Sequence, residues 1–354
     1  MTAPPLGLIE GGGTGRELIA AVRTCAAALG ERGGPPIERI RFDDDRWREE
    51  IEEERFHDGL YQALGAFLEE VRGRGGAVVR GSLPAPILYR LRHELGPIAH
   101  VVPLNPYPEL SRFPELRTVL VRDGSQGLYH ASTVERRGGT VVAVAEWREE
   151  SLRFLAETSF TLAEEHPRRR LTSVLKTSVL GPLGELWLSV FAEVARAHPE
   201  VRYEHRPSGA GFSDLWLERD EFGVVATDDE AGDVLADLVP SVLYESRNLV
   251  PAANLSPGGH ATYQTDHGTI RPLAGKDRVN PLAMLAALAM ALERTLGRRD
   301  DAAALRDAIR AALEDGLRTD DLRRDPGHVA VGTRGLTEAI VRHLSGAAAR
   351  SSSA

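Results

Sequence analysis

Asp233 and Asp237 stand four residues apart in the stretch Gly232-Asp233-Val234-Leu235-Ala236-Asp237. On a helix that spacing puts two carboxylates one above the other on a single face. Carboxylates held so close repel unless a proton or a cation lies between them. Two readings follow. One is the acidic start of a solvated helix, favoured by the helix dipole. The other is half of an oxygen-ligand site for Mg2+ or Mn2+. The lysines raise a related question. Of 43 basic residues only Lys176 and Lys276 are lysine. Arginine keeps its proton, whereas a lysine can release one, so a chain that has drifted to Arg elsewhere keeps Lys where a proton must move, or by chance.

The elements that must carry these groups are legible in outline. Val224-Val225-Ala226 has strand length and leads through polar Thr227-Asp228-Asp229-Glu230 to a helical pattern from near Asp233. Leu6–Glu10 reads as a first strand, followed by Gly11-Gly12-Gly13-Thr14-Gly15 and a helix from Arg16 to about Leu29. A glycine turn there can cradle phosphate, but the dinucleotide fingerprint is not formed, so a simple tight turn is expected. The run 43–56 reads as a solvated helix face. Strands are expected at Gly76–Val79, Arg117–Arg122, Gly139–Glu146 and Leu171–Val179, the last containing Lys176. Helices are expected at Pro86–Leu95, 149–165, 184–198 and 282–296, with Asn280 as N-cap and Pro281 in the first turn. The small, polar tail Gly346–Ala354 reads as disordered. Strands alternating with helices indicate an α/β protein.

At 354 residues the chain has room for two domains. Its net charge of −9 gives no basic footprint for nucleic acid or an anionic membrane. A single Cys25 excludes an internal disulfide and fits a cytoplasmic location. No window approaches the roughly 18 uninterrupted apolar residues of a membrane span, and Met1-Thr2-Ala3-Pro4-Pro5 lacks the charged start of a signal peptide.

Several segments in one order make residues 6–344 resemble the β-decarboxylating dehydrogenases, the family of 3-isopropylmalate, isocitrate, homoisocitrate and tartrate dehydrogenases. They are Leu8-Ile9-Glu10-Gly11-Gly12-Gly13-Thr14-Gly15-Arg16-Glu17, Leu91-Arg92-His93-Glu94-Leu95-Gly96, Val121-Arg122 through Gly127-Leu128-Tyr129, Lys176, and Gly232 through Asp237. His267-Gly268-Thr269, Ala274-Gly275-Lys276, Asn280-Pro281, Thr319 and Asp321-Leu322 complete the series. The resemblance implies a two-domain fold, with a larger cofactor-binding domain at about 1–97 and 245–354 and a smaller central domain at 98–244. It implies a homodimer whose active sites lie in the interdomain cleft and are shared between subunits.

Roles follow by position. Asp233 and Asp237 resemble the two metal ligands from one subunit, for Mg2+ or Mn2+. Lys176 resembles the base from the neighbouring subunit that removes the substrate hydroxyl proton. Tyr129 resembles the acid that protonates the enol carbon after CO2 leaves. Arg92 and Arg122 resemble two of three arginines that clamp substrate carboxylates. Leu88 and Tyr89 fall where selectivity for the C3 substituent is set. His267 and Asn280 resemble contacts to the adenine of NAD or NADP, and Asp321 belongs with them.

Departures are equally specific. The third metal ligand, an Asp from the other subunit, falls at Gly209, and Asp214 lies about 140° around a helix from it. The third clamp arginine falls at Val102, an expected Asn at Ser178, an expected Asp at Gly12, and the selector between NAD and NADP at Pro272. Two functions remain: a working dehydrogenase with a changed small-molecule substrate, or a catalytically degenerate member acting as a regulatory or ligand-binding subunit.

Overall fold

The computed structural model describes residues 3–32, 36–96, 98–246, 249–322 and 325–351. It divides into two compact units, one of Met1–Leu88, Ser246–Ala253 and Gly259–Ala354, the other of Tyr89–Glu245 and Asn254–Gly258.

In the first unit β1 (Leu6–Ile9) is buried along its whole length, as a strand covered on both faces must be. It pairs in parallel with β2 (Arg39–Arg41) and β3 (Ala77–Arg80), and β12 (Ala261–Thr265) pairs in parallel with β3. With β11 (Pro251–Leu255) the strand order is β2-β1-β3-β12-β11. The helices are α1 (Gly15–Gly30), α2 (Arg48–Glu53), α3 (Asp58–Gly73), α9 (Leu282–Arg294), α10 (Arg299–Glu314) and α11 (Thr333–Ser351), and α4 (Ala85–Leu95) begins here. A separate parallel pair joins β13 (Leu317–Arg318) to β14 (Val329–Ala330). Helix α9 is apolar on almost every side and is buried from Leu282 to Leu285 and from Ala287 to Leu292, so it is a core helix. Among the described residues no helix is long and apolar enough to cross a membrane.

Two expectations change in this unit. The charge run 43–56 is not a solvated helix face. It forms a 3-10 turn over Asp44–Trp47 and the short α2, and Asp44 is buried. The Asp44 carboxylate accepts the N–H groups of Glu10 and Gly11 at 2.9 Å each, and Glu52 accepts that of Gly13 at 3.0 Å. Donors that a phosphate would need are thus satisfied by the chain's own acids, which favours a tight turn. The tail is helical in α11 as far as Ser351, and 352–354 lie outside the described residues. Cys25 is buried in α1, which pushes its thiol up to about 12.

In the second unit the strand order is β4-β5-β10-β8-β9. These are β4 (Ala99–Pro103), β5 (Val119–Asp123), β8 (Arg170–Leu175), β9 (Arg202–Pro207) and β10 (Val224–Thr227). Only the β4–β5 pair is antiparallel among the pairs β4–β5, β5–β10, β10–β8 and β8–β9. Helices α5 (Glu149–Glu165), α6 (Gly181–Ala195), α7 (Ser208–Leu217) and α8 (Asp229–Tyr244) accompany them. The core includes Trp187 and Phe191 stacked at 4.8 Å and Phe160 against Tyr203 at 5.5 Å. A hairpin of β6 (Thr133–Arg137) and β7 (Thr140–Val144) takes the place of the single strand expected at 139–146. Its first strand, Thr-Val-Glu-Arg-Arg, has one apolar residue and gives no sequence signal.

Lys176 lies just beyond β8 rather than inside a strand. Its carbonyl accepts the Val179 N–H at 3.4 Å and closes a turn before α6. That helix starts at Gly181, with Pro182 in its first turn, three residues before the apolar spacing suggested.

Candidate active site

Helix α8 organises the polar cluster of the second unit. Its start is fixed by Asp228, whose carboxylate accepts the Ala231 N–H at 2.9 Å. Asp229, Asp233 and Asp237 then follow at intervals of four along one face. Their surroundings differ: Asp229 is buried, Asp233 is half-buried and Asp237 is exposed. Gly232 lets this face approach β5, because a Cβ there would lie 2.5 Å from the Arg122 Cβ.

Arg122, near the end of β5, donates from Nη1 to Asp233 Oδ1, and its Nε lies 3.5 Å from Asp229 Oδ1. The guanidinium is therefore bracketed by two carboxylates from successive turns of α8. His130 Nε2 approaches Asp229 Oδ2 at 3.1 Å. Burial alone would push the Asp229 carboxyl up. The His130 hydrogen bond and the Arg122 charge outweigh it and hold this group below the usual carboxylate range.

Tyr129 sits in a 3-10 turn over Leu128–His130 and is 44% exposed. The Glu230 carboxylate accepts the N–H groups of Leu128 and, at 3.3 Å, Tyr129. Gly127 enters this turn at φ 96, in the left-handed region, and a Cβ there would meet Glu230 Oε1 at 2.8 Å. Partial desolvation and the charges of Asp233, Glu230 and Asp229 hold the Tyr129 phenol above its ordinary value. It remains protonated at neutral pH and can donate. The loop leading to it is anchored by Asp123, which accepts from Ser125 N at 3.1 Å, Ser125 Oγ at 2.9 Å and Gln126 Nε2 at 2.5 Å. Complete burial pushes the Asp123 carboxyl up to about 7 despite these donors.

Arg92 on α4 donates from Nη2 to Asn254 Oδ1 at 3.1 Å, and His100 Nδ1 lies 2.8 Å from the same oxygen. Tyr89, one turn earlier on α4, has its ring 5.5 Å from the Arg92 guanidinium and 5.0 Å from the His130 imidazole. Leu88 precedes it at the boundary between the units. Val102 is fully buried on β4. His100, two residues away, shares its strand face, and the register sets His100 opposite Arg122.

Of the sequence-derived residues, Tyr89, Arg92, Arg122, Tyr129 and Asp233 are thus joined by direct contacts or through Asp229, His130 and Glu230. Lys176 is exposed and forms no ion pair with Asp233 or Asp237 among the described residues. Among those residues no group of three or more His, Cys, Asp or Glu is placed to hold a metal ion. Asp233 and Asp237 suit a hard, oxygen-seeking cation but leave it short of a third carboxylate. Asp214 does not supply one, because Arg206 Nη1 holds it at 2.7 Å. A Cβ at Gly209 would meet nothing within 4 Å.

The residues expected at the cofactor lie in the first unit and fare unequally. His267 Nδ1 bonds the Gly268 carbonyl at 2.9 Å, while its buried Nε2 has no hydrogen-bond partner among the described residues. Burial lowers its pKa, so it is neutral and suited to an uncharged ring such as adenine. Asn280 is engaged within the protein: Oδ1 accepts from Leu282 N at 3.0 Å and Nδ2 donates to Asp321 Oδ2 at 3.1 Å. The N-cap of α9 is Pro281, with no side-chain cap bond, so Asn280 stands one residue before the capping position expected for it and accepts the Leu282 N–H from there. Asp321 also accepts from Ser246 Oγ at 3.0 Å and Thr319 Oγ1 at 2.6 Å. Pro272 lies in a 3-10 turn over Arg271–Leu273.

Sequence reasoning missed His130, Asp229, Glu230, His100 and Asn254. A signal existed for three of them. His130 follows Tyr129 directly, and Asp229-Glu230 are inside the polar stretch read as leading into a helix from near Asp233, which in fact begins at Asp229.

The profile of the family described as isocitrate/isopropylmalate dehydrogenase matches residues 74–340. The 3-isopropylmalate dehydrogenase of Lactococcus lactis is 32% identical over 73% of this chain and 75% of its own length. That of Frankia casuarinae is 30% identical over 88% of this chain and 92% of its own. The crystal structure of isocitrate dehydrogenase from Methylococcus capsulatus superposes with a TM-score of 0.78 at 24% identity, covering 96% of this chain and 99% of that one.

Proposed function

Since the chain belongs to the isocitrate/isopropylmalate dehydrogenase family, whose general reaction is oxidative decarboxylation of a hydroxy acid, we propose that it oxidises a 2-hydroxy dicarboxylate other than 3-isopropylmalate or isocitrate. The reaction would use NAD or NADP and Mg2+ or Mn2+. The observation that carries this reading is the Arg122 guanidinium held between Asp229 and Asp233 beside the Tyr129 turn. It joins a carboxylate-binding cation, a candidate metal ligand and a candidate acid in one cluster.

In this reading Arg92 and Arg122 orient the substrate carboxylates. Asp233 and Asp237 would hold the divalent cation, which would supply Lewis-acid chemistry at the substrate oxygens, and the nicotinamide would supply a hydride acceptor. The partner subunit's Lys176 removes the hydroxyl proton, and Tyr129 delivers a proton to carbon after CO2 leaves. His267 offers to the cofactor base its Nε2, which has no partner among the described residues, and Asn280 and Asp321, bonded to each other, are placed with it by the resemblance alone. Leu88 and Tyr89 face the substituent at C3. A second copy of the chain is supported by the exposed stripe Val234, Leu238 and Val242 on the helix that carries Asp233 and Asp237. A degenerate, ligand-binding subunit is the second reading, favoured by Gly209 and by the engagement of Asp233 with Arg122.

Val102 tests the substrate. A carboxylate left opposite a buried Val is a desolvated charge without a partner, which costs several kcal/mol. Wild type should therefore turn over isopropylmalate and isocitrate poorly. Val102→Arg should raise kcat/KM for one of them by about tenfold or more, the size of one charge-assisted pair. Reduced nicotinamide formed with Mn2+ and each cofactor gives the readout, and a thermal melt checks the fold. Ordinary wild-type turnover of either acid, with a loss in Val102→Arg, would sink the altered-substrate reading.

A further inference from the structure

We propose that His130 and Asp229 are positioning residues for this reaction, locking Arg122 and the Tyr129 turn to the first turn of α8. The inference rests on the reading of Tyr129 and Arg122 given above. Three successive acids at the start of α8 do three different things. Asp228 caps the helix. Asp229 turns inward to His130 and Arg122, and Glu230 takes the backbone N–H groups of Leu128 and Tyr129. Tyr129 is therefore gripped on both sides by adjacent residues of one helix. Its own and the preceding amide are held by Glu230, and the following side chain is held by Asp229. One turn further along, the same helix presents Asp233.

The burial of this grip distinguishes it from a surface ion pair. The side chains of His130 and Asp229 are 3% and 1% exposed. Among the described residues Asp229 Oδ1 has no hydrogen-bond donor, and it faces Arg122 Nε at 3.5 Å. The other face of the imidazole environment is the Tyr89 ring. A buried ion pair contributes little net stability compared with a well-packed apolar pair, because desolvation offsets the attraction. What it does supply is a fixed direction: the imidazole N–H sets one carboxylate oxygen, and the other oxygen then sets the guanidinium. A shift of the Tyr129 turn or of Arg122 relative to Asp233 has to break one of these contacts. Misplacement of reacting groups by about 1 Å costs on the order of a hundredfold in rate.

Two variants of the protein separate positioning from packing. His130→Phe keeps a ring against Tyr89 and removes the N–H. His130→Gln returns an N–H close to the place of Nε2. With the hydroxy acid that wild type oxidises, His130→Phe should lower kcat about ten- to a hundredfold, the loss of one hydrogen bond to a charged group. KM should change much less, and His130→Gln should recover most of kcat. Independently of any substrate, amide hydrogen exchange at Leu128, Tyr129 and His130 should quicken about tenfold or more in His130→Phe and return toward wild type in His130→Gln. This second readout keeps the inference testable even if wild type oxidises nothing, which would count against the proposed reaction alone. Should His130→Phe not fold, Asp229→Asn replaces it, with the same rise in exchange expected. Unchanged exchange in the folded variant overturns the inference. So does a His130→Gln protein that melts like wild type yet is as slow and as open as His130→Phe.

Discussion

Lys176→Ala and Asp233→Ala homodimers are each expected to lose turnover by about a thousandfold or more, in line with removal of a general base or of a metal-binding carboxylate. Mixed dimers of the two should recover it. Lys176 is exposed and has no ion pair to Asp233 or Asp237 among the described residues, so the reading requires each site to combine Asp233 of one copy with Lys176 of the other. In a two-fold dimer one site then inherits both defects and the other neither, giving roughly half of the wild-type sites. Purified, differently tagged mixed dimers assayed by nicotinamide reduction check this. No recovery in verified mixed dimers means that the sites are not shared in this way.

Arg122→Ala should combine the greatest loss of stability with loss of activity. Arg122 answers two carboxylates, one of them on Asp229, which is almost fully buried. Removing one partner of a buried pair costs about 3–5 kcal/mol, because the other charge is left behind. The pH dependence has a definite sign. Asp229 is held below the usual carboxylate range in the folded protein. Its contribution is therefore present above the unfolded value of roughly 3.9 and is lost as pH falls through the lower folded value. Without Arg122 that contribution shrinks. The variant should fall furthest behind wild type near neutral pH, and the gap should close as pH drops below about 4. Urea unfolding at several pH values measures it. A gap that stays constant or widens in acid contradicts the pairing.

Much of this architecture is written in local sequence, and the rest depends on contacts that spacing does not encode. The α/β alternation, α5 and the position of α9 follow from periodicity, while the cap of α9 falls at Pro281, one residue later than the Asn280 expected. The placement of Asp233 and Asp237 on one helix face follows from a spacing of four. The β6–β7 hairpin was not legible, since an exposed strand such as Thr133–Arg137 carries no apolar alternation. The charge run 43–56 misled for the opposite reason. Charge suggests solvent, yet Asp44 is buried because backbone donors of the glycine turn need it. The same mistake hid Asp229 and Glu230, whose partners His130, Leu128 and Tyr129 lie about a hundred positions away in the chain. Acidic residues at a helix start have a local explanation in the dipole, and only the fold reveals which of them turn inward.

The central claim is oxidative decarboxylation, and its most direct test is stoichiometry. A panel of 2-hydroxy dicarboxylates is incubated with the protein, Mn2+ and each nicotinamide cofactor, and reduced cofactor and released CO2 are measured together. One equivalent of CO2 should appear for each equivalent of reduced cofactor from at least one acid, both signals should vanish with chelator and in Lys176→Ala, and steady-state turnover should fall in Tyr129→Phe, whose proton is needed only after both products have formed. Reduced cofactor without CO2, or neither product from any acid while the protein is folded and dimeric, would contradict it.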